Sequence, residues 1–290
     1  MAEIKLFRLG NQVEEIKSVE TSFDVNLEQI IEDNSKSFFG VTFVANNYVI
    51  GSAKIPTVGL DENRCPVVFV YAKDEKMNFL SKGLFYVEQI LNNKEKFTSS
   101  VSVKLGKKAS EVIDWSCPRI ICIATGFNKY DRTAVTQLSR NVSLIQYNQY
   151  GDDIVMFELI ESNAGQPSEE GVKYRNSFIT SYKKSNADIR EIFDMLCEYV
   201  EYFGEGVTVS QLRNYVAFKK IKNFGAARAE GDKIILNLNL EPAKYVGRDP
   251  KIKDVTFAAK LGTGLVQFTV ENAEDYEVAK KLLLDAYNRN

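Results

Sequence analysis

From Lys54 to Lys73 the chain reads K-I-P-T-V-G-L-D-E-N-R-C-P-V-V-F-V-Y-A-K. Two apolar runs rich in β-branched residues flank the polar turn Asp61-Glu62-Asn63-Arg64, which predicts a β-hairpin. In the second strand Val70 and Ala72 share one face, and Tyr71 and Lys73 share the other. An amphipathic segment follows from Met77 to Asn92, containing K-G-L-F-Y-V at Lys82 to Val87. Its Leu80, Leu84, Val87 and Leu91 recur at helical spacing.

Outward from the hairpin, Leu27, Ile30 and Ile31 mark one face of a helix with Asp24 or Asn26 as cap candidates, closed by Phe38-Phe39-Gly40. Val41 to Ile50 then reads as a strand, as does the continuous apolar run Ile120 to Ala124. A helix over Asn128 to Arg140 and strands over Val142 to Tyr147 and Ile154 to Ile160 follow. At the start, Glu3 to Leu9 and Gln12 to Ser18 alternate around Gly10-Asn11, a second hairpin.

This order, with the strings quoted, resembles the PD-(D/E)XK nuclease superfamily, most closely its branch related to archaeal mismatch-type endonucleases. The string I-I-E-D-N-S-K-S-F-F-G resembles the family's first helix, and I-D-W-S around Trp115 its pattern before a later strand. The resemblance implies a restriction-endonuclease-like mixed sheet with flanking helices. It also implies an Asp on the first hairpin strand and Glu-x-Lys on the second, around the shared Tyr71. The matching positions are Pro56, Val70 and Ala72. A frame shifted by one would put Lys73 at the lysine position, but strand alternation and the spacing to Gly83 favour Ala72. Lys82 stands where the family commonly carries Gln, and Glu32 where it often has an acid beside the metal; as the only retained acid Glu32 would be a weak ligand, and it reads first as a solvated helix charge.

Those residue types matter because magnesium takes oxygen ligands in near-octahedral geometry. The metal and a neighbouring lysine then activate water against a phosphodiester. Proline, valine and alanine supply neither ligand nor proton carrier, so the expectation is a degenerate site without cofactor. Asp61 and Glu62, with Lys73, are the candidates for a migrated site, and magnesium enters only under that alternative. Turn chemistry accounts for the same two acids without any metal.

The 290 residues carry a formal net charge of −2 and no histidine. That absence excludes Ser-His-Asp and Cys-His catalysis and imidazole-bound zinc. Neither a Walker A string nor G-x-G-x-x-G occurs. Cys65, Cys117, Cys122 and Cys197 have spacings that suit neither a zinc site nor a disulfide framework. No apolar run approaches the ~20 residues that span a bilayer, and no secretory leader pattern opens the chain. The expected location is cytoplasmic, with no membrane partner.

Composition divides the chain into a nuclease-like unit at 1–161, a linker at 162–187 rich in Gly, Pro, Ser and Glu, and a smaller α+β unit at 188–290. In the last, Ile189, Ile192, Phe193, Leu196, Val200 and Phe203 form one helical stripe. Strands are expected at Val207–Ser210, Asn214–Lys220, Phe224–Ala229, Ile234–Leu240, Val255–Ala259 and Leu265–Val270, with a final helix from Asn272. The strings Y-V-A-F-K-K-I-K-N-F, L-N-L-N-L and A-K-K-L-L-L-D-A-Y resemble a small α+β domain that often follows this nuclease-like unit in prokaryotic proteins.

Between Arg213 and Arg228 the cations Arg213, Lys219, Lys220, Lys222 and Arg228 occur with no acid among them. Tyr215, Phe218 and Phe224 are interleaved. Such a run suits phosphate neutralisation and base stacking. Alternation explains the aromatics equally well as core residues with lysines outward. The cluster Lys104, Lys107 and Lys108 reads as a solvated loop. The leading expectation is therefore a non-catalytic nuclease-fold protein that binds DNA, RNA or a nucleic-acid-processing partner. The alternatives are a protein-interaction scaffold or homodimer, and a magnesium nuclease with migrated ligands.

Overall fold

The computed structural model describes residues 4–9, 13–19, 25–72, 78–151, 153–165, 177–257 and 261–290. Two large sheets organise them. The first half runs β1 (Leu6–Arg8), β2 (Glu14–Ile16), β3 (Ser18–Val19), α1 (Val25–Phe39), β4 (Thr42–Ile50), β5 (Ala53–Leu60), β6 (Pro66–Ala72), α2 (Phe79–Asn92), α3 (Lys94–Leu105), α4 (Lys107–Ser110), β7 (Arg119–Ala124), α5 (Lys129–Gln137), β8 (Asn141–Tyr150) and β9 (Ile154–Ala164). The second runs α6 (Phe178–Lys184), α7 (Ala187–Glu201), β10 (Thr208–Gln211), β11 (Val216–Lys219), β12 (Asn223–Glu230), β13 (Lys233–Leu238), α8 (Pro242–Tyr245), β14 (Ile252–Asp254), β15 (Val266–Val270) and α9 (Ala273–Arg289).

The first sheet has the order β3-β8-β7-β6-β5-β4, with β9 also paired to β8. It is mixed: β6, β7 and β8 run parallel, and the β4–β5–β6 and β8–β9 pairs antiparallel. Every residue of β6 and β7 is buried, because helices cover both faces of the sheet. That double burial is why these strands read as unbroken apolar runs rather than as alternation. One face packs Val68, Val70, Ala72, Ile120 and Cys122 with Val87 and Ile90 of α2 and Phe97 and Val101 of α3. The other packs Phe69, Tyr71, Ile121 and Ile145 with Ile31 and Phe39 of α1. Gly83 lets α2 lie close to the sheet, since a Cβ there would stand 2.6 Å from Ile120 Cγ2 and 3.4 Å from Val70 Cγ2.

The second sheet, β10-β11-β12-β13-β15-β14, is antiparallel throughout. One face holds Phe218, Phe224, Leu236 and Phe268 against Phe193 and Leu196 of α7 and Leu283 of α9. The opposite face of β11 turns Ala217 toward Cys65 and Cys117 of the first half. This is a mixed α/β half followed by a smaller α+β half, as the sequence predicts.

Some expectations are corrected. Lys104, Lys107 and Lys108, read as a solvated loop, are exposed but lie on the helices α3 and α4. Only Phe97 and Val101 of α3 are buried, so its amphipathic signal is weak. The strand expected at Val255–Ala259 lies earlier, at Ile252–Asp254, and residues 258–260 fall outside the described residues. The 162–187 segment overlaps the end of β9 and all of α6, while 166–176 fall outside the description. So do the turn Gly10-Asn11, Asp24, the Asn26 side chain and Lys73. Among the described residues no helix is long and apolar enough to cross a membrane.

Candidate functional site

The hairpin positions come first. Val70 and Ala72 are each 2 % exposed and belong to the core under α2 and α3. Pro56 is half-buried on β5, one step beyond the paired Thr57 and Phe69. None of the three carries an oxygen on its side chain. The polar cluster of this region is instead built on their neighbours. Glu32 of α1 is not the solvated charge the sequence suggests: it is buried, accepting from Thr57 Oγ1 at 2.7 Å through Oε1 and from Asn46 Nδ2 at 2.9 Å through Oε2. Tyr71 donates to Thr57 Oγ1 at 3.0 Å. Burial pushes the Tyr71 hydroxyl's pKa up, Glu32 and Glu28 add to the rise, and the Thr57 bond opposes it.

The strand geometry behind this cluster is irregular. Asn47 has φ +44°, in the left-handed region open to asparagine. Across it the strand changes its companion: Asn46 reaches Glu32 on α1, whereas Tyr48 bonds Ser100 on α3 at 2.9 Å. One carboxylate with both oxygens already engaged, two hydroxyls and an amide do not suit magnesium, which takes several oxygens. Among the described residues, no group of three or more His, Cys, Asp or Glu side chains is placed to hold a metal ion.

Asp61 and Glu62 stand elsewhere. Asp61 Oδ1 accepts from the backbone N–H groups of Asn63 and Cys65, both at 2.9 Å, and so closes its own turn. Arg64 completes that turn at φ +67°. Glu62 leaves the hairpin and accepts from Asn223 N at 2.7 Å and from Thr263 Oγ1 at 3.5 Å, both in the second half. Asn63 Oδ1 accepts from Asn223 Nδ2 at 2.5 Å and from Tyr215 OH at 3.1 Å. The turn is thus the junction through which the two sheets meet.

Arg119 lies beneath it at 1 % exposure, donating to Phe39 O at 3.3 Å, Ser143 Oγ at 3.3 Å and Ile221 O at 3.0 Å. Burial lowers its guanidinium pKa to about 10 against the pull of Asp61 and Glu62. Burial and then Arg119 lower Lys219 to about 7, with Asp61 opposing. Burial raises Asp61 above its ordinary range despite Lys219 and Arg119. It pushes Glu62 up to about 7, with Asp61 adding and Asn223, Arg119 and Lys222 opposing. These are buried charges of both signs, which hold together only because each has an opposite or a hydrogen-bonding neighbour.

The basic run does not form one surface. Lys219 is 4 % exposed at the junction, so it presents nothing to a phosphate in solution. Lys220 Nζ donates to Tyr287 OH at 3.3 Å and sits 5.4 Å from that ring's centre. Lys222 Nζ donates to Ser37 O of α1 at 3.1 Å. Arg228 pairs with Glu230 at 2.8 Å. Arg213 is exposed. What the fold does bring together is a cleft of about 530 Å³ between the halves, lined among others by Lys36, Glu62, Arg64, Lys222 and Thr263. The sequence reading missed Arg119, Asn223 and Thr57. Only Arg119 left a signal: a charge opening the apolar run Arg119-Ile120-Ile121-Cys122 has to be buried with partners.

No family model matches the chain. A Haemophilus influenzae protein described only as uncharacterized is similar over 294 residues at 22 % identity, covering 95 % of this chain and 96 % of that protein. The likeness therefore runs through both sheets. Among solved structures, the EndoMS-dsDNA2 complex is similar at 11 % identity over 49 % of this chain and 65 % of its own, with a TM-score of 0.26. At that score the likeness places no residue of this chain.

Proposed function

We propose that this chain is a non-catalytic binding protein on a nuclease-like scaffold, and that its ligand is nucleic acid. The observation that carries the reading is the tied-off Glu32, whose two carboxylate oxygens are taken by Thr57 and Asn46. An acid held in this way fixes α1 to the β4–β5 hairpin, and among the described residues it belongs to no group of three or more His, Cys, Asp or Glu side chains placed to hold a metal. The sequence resemblance to PD-(D/E)XK nucleases supplies the ligand class. Lys36, Arg64 and Lys222, gathered from α1, the hairpin turn and the β11–β12 turn, line the cleft where phosphates would be neutralised. The four free thiols fit a cytoplasmic setting.

The test is a titration of labelled single- and double-stranded DNA and RNA over a range of salt, with cleavage followed in Mg²⁺, Mn²⁺ and metal-free buffer. Binding should weaken linearly on a log–log salt plot, and strands should stay intact in all three buffers. A Lys36→Glu, Lys222→Glu double variant should bind more weakly across sequences with a flatter salt slope. Absence of binding at low salt would leave the interaction-scaffold reading in its place. Metal-dependent cleavage abolished by Asp61→Ala would establish the migrated site instead.

A further inference from the structure

We infer that the cleft between the two halves is a binding site for a phosphate monoester on an organic body, either a free mononucleotide or the phosphorylated end of a strand. Its volume, about 530 Å³, lies within the ~300–1,000 Å³ usual for small-ligand sites. Its lining draws three cationic residues from three separate segments, Lys36, Arg64 and Lys222, together with Asp61, Glu62 and Asn290. Cations drawn from separate segments around one cleft suit a phosphoryl group, which can meet several charge-assisted donors at once. Thr263 adds a hydroxyl between two left-handed glycines, Gly262 at φ +50° and Gly264 at φ +118°. Leu60, Leu105 and Ala109 supply apolar lining for the ligand's body.

Two acids of the lining are engaged within the fold. Asp61 spends Oδ1 on the turn's own amides. Glu62, pushed up to about 7, carries only part of its charge at neutral pH. The charged groups acting on Glu62 are Asp61, Arg119 and Lys222, with Lys36 and Arg64 sharing the cleft.

The strand-end arm rests on the nucleic-acid reading; the mononucleotide arm does not. Calorimetry of the full chain with adenosine 5′-monophosphate, adenosine, and 5′-phosphorylated and 5′-hydroxyl oligonucleotides separates them. The monophosphate should bind at least about tenfold more tightly than the nucleoside. A Lys36→Ala, Arg64→Asn variant should lose about tenfold or more in that affinity. Asparagine is chosen because it tolerates the positive φ at this position. If the pair fails to fold, Lys36→Ala alone, on the exposed face of α1, should show a smaller loss of the same kind. Monophosphate binding without strand binding would uphold this site and sink the strand reading. Strands bound equally with and without a 5′-phosphate, with no monophosphate binding, would overturn the site and leave the strand reading standing. Undiminished monophosphate affinity in both variants would overturn the assignment to this cleft.

Discussion

Glu62 offers a direct test of the junction. Its ordinary value is 4.5 and in the folded chain it rises to about 7. Between those values the folded protein holds a proton that the unfolded chain has released, so stability falls as pH rises across this window and is flat above it. Each pH unit is worth ~1.4 kcal/mol, giving ~3.4 kcal/mol as an upper bound. Glu62 keeps some exposure, and screening by solvent brings the expected figure to about 2 kcal/mol. Glu62→Gln keeps an acceptor for Asn223 N but never ionises. At pH 8 it should therefore be the more stable protein by about 2 kcal/mol, or roughly 4–8 °C in Tm. At pH 4.5 the two proteins should converge. Asp61, Arg119 and Lys219 are common to both and largely cancel in the difference. Urea unfolding from pH 4.5 to 8, read by Trp115, the single tryptophan, gives the slopes. Parallel pH profiles for the two proteins would show that Glu62 titrates at its ordinary value, and the junction argument would fail.

Gly83→Ala should destabilise the first half by ~1–3 kcal/mol, because its Cβ would meet Ile120 Cγ2 at 2.6 Å; unchanged unfolding would show that α2 can move away freely. Glu32→Ala should cost ~1–3 kcal/mol by leaving Thr57 and Asn46 without their acceptor. It should leave strand integrity in Mg²⁺ as it is in the parent protein, whereas a cleavage activity lost with Glu32 would make that acid catalytic. Limited proteolysis should cut first between Ser162 and Ala187, where Gly, Pro, Ser and Glu concentrate; first cuts inside α7 would overturn the proposed boundary.

The sequence by itself determined the elements whose signal is local. The β6 run Val67-Val68-Phe69-Val70-Tyr71-Ala72 and the apolar stripe of α7 read correctly because a two-face-buried strand and an amphipathic helix each imprint their burial on consecutive residues. Asp61 likewise reads as a turn residue from its neighbours alone, and it is one. α3 escaped because only Phe97 and Val101 of its residues are buried. Alternation along β11 puts Lys219 on the face of Ala217, yet it says nothing of what that face meets. Only the packing of the second sheet on the first decided that Lys219 is buried beside Asp61 rather than open to phosphates. The same packing set Glu62 against Asn223, 161 positions away in the chain. Tertiary structure likewise gave Glu32 its partners Asn46 and Thr57, 14 and 25 positions away. Periodicity fixes the direction of a side chain, but its partner, its burial and therefore its charge state depend on segments brought together only by the fold.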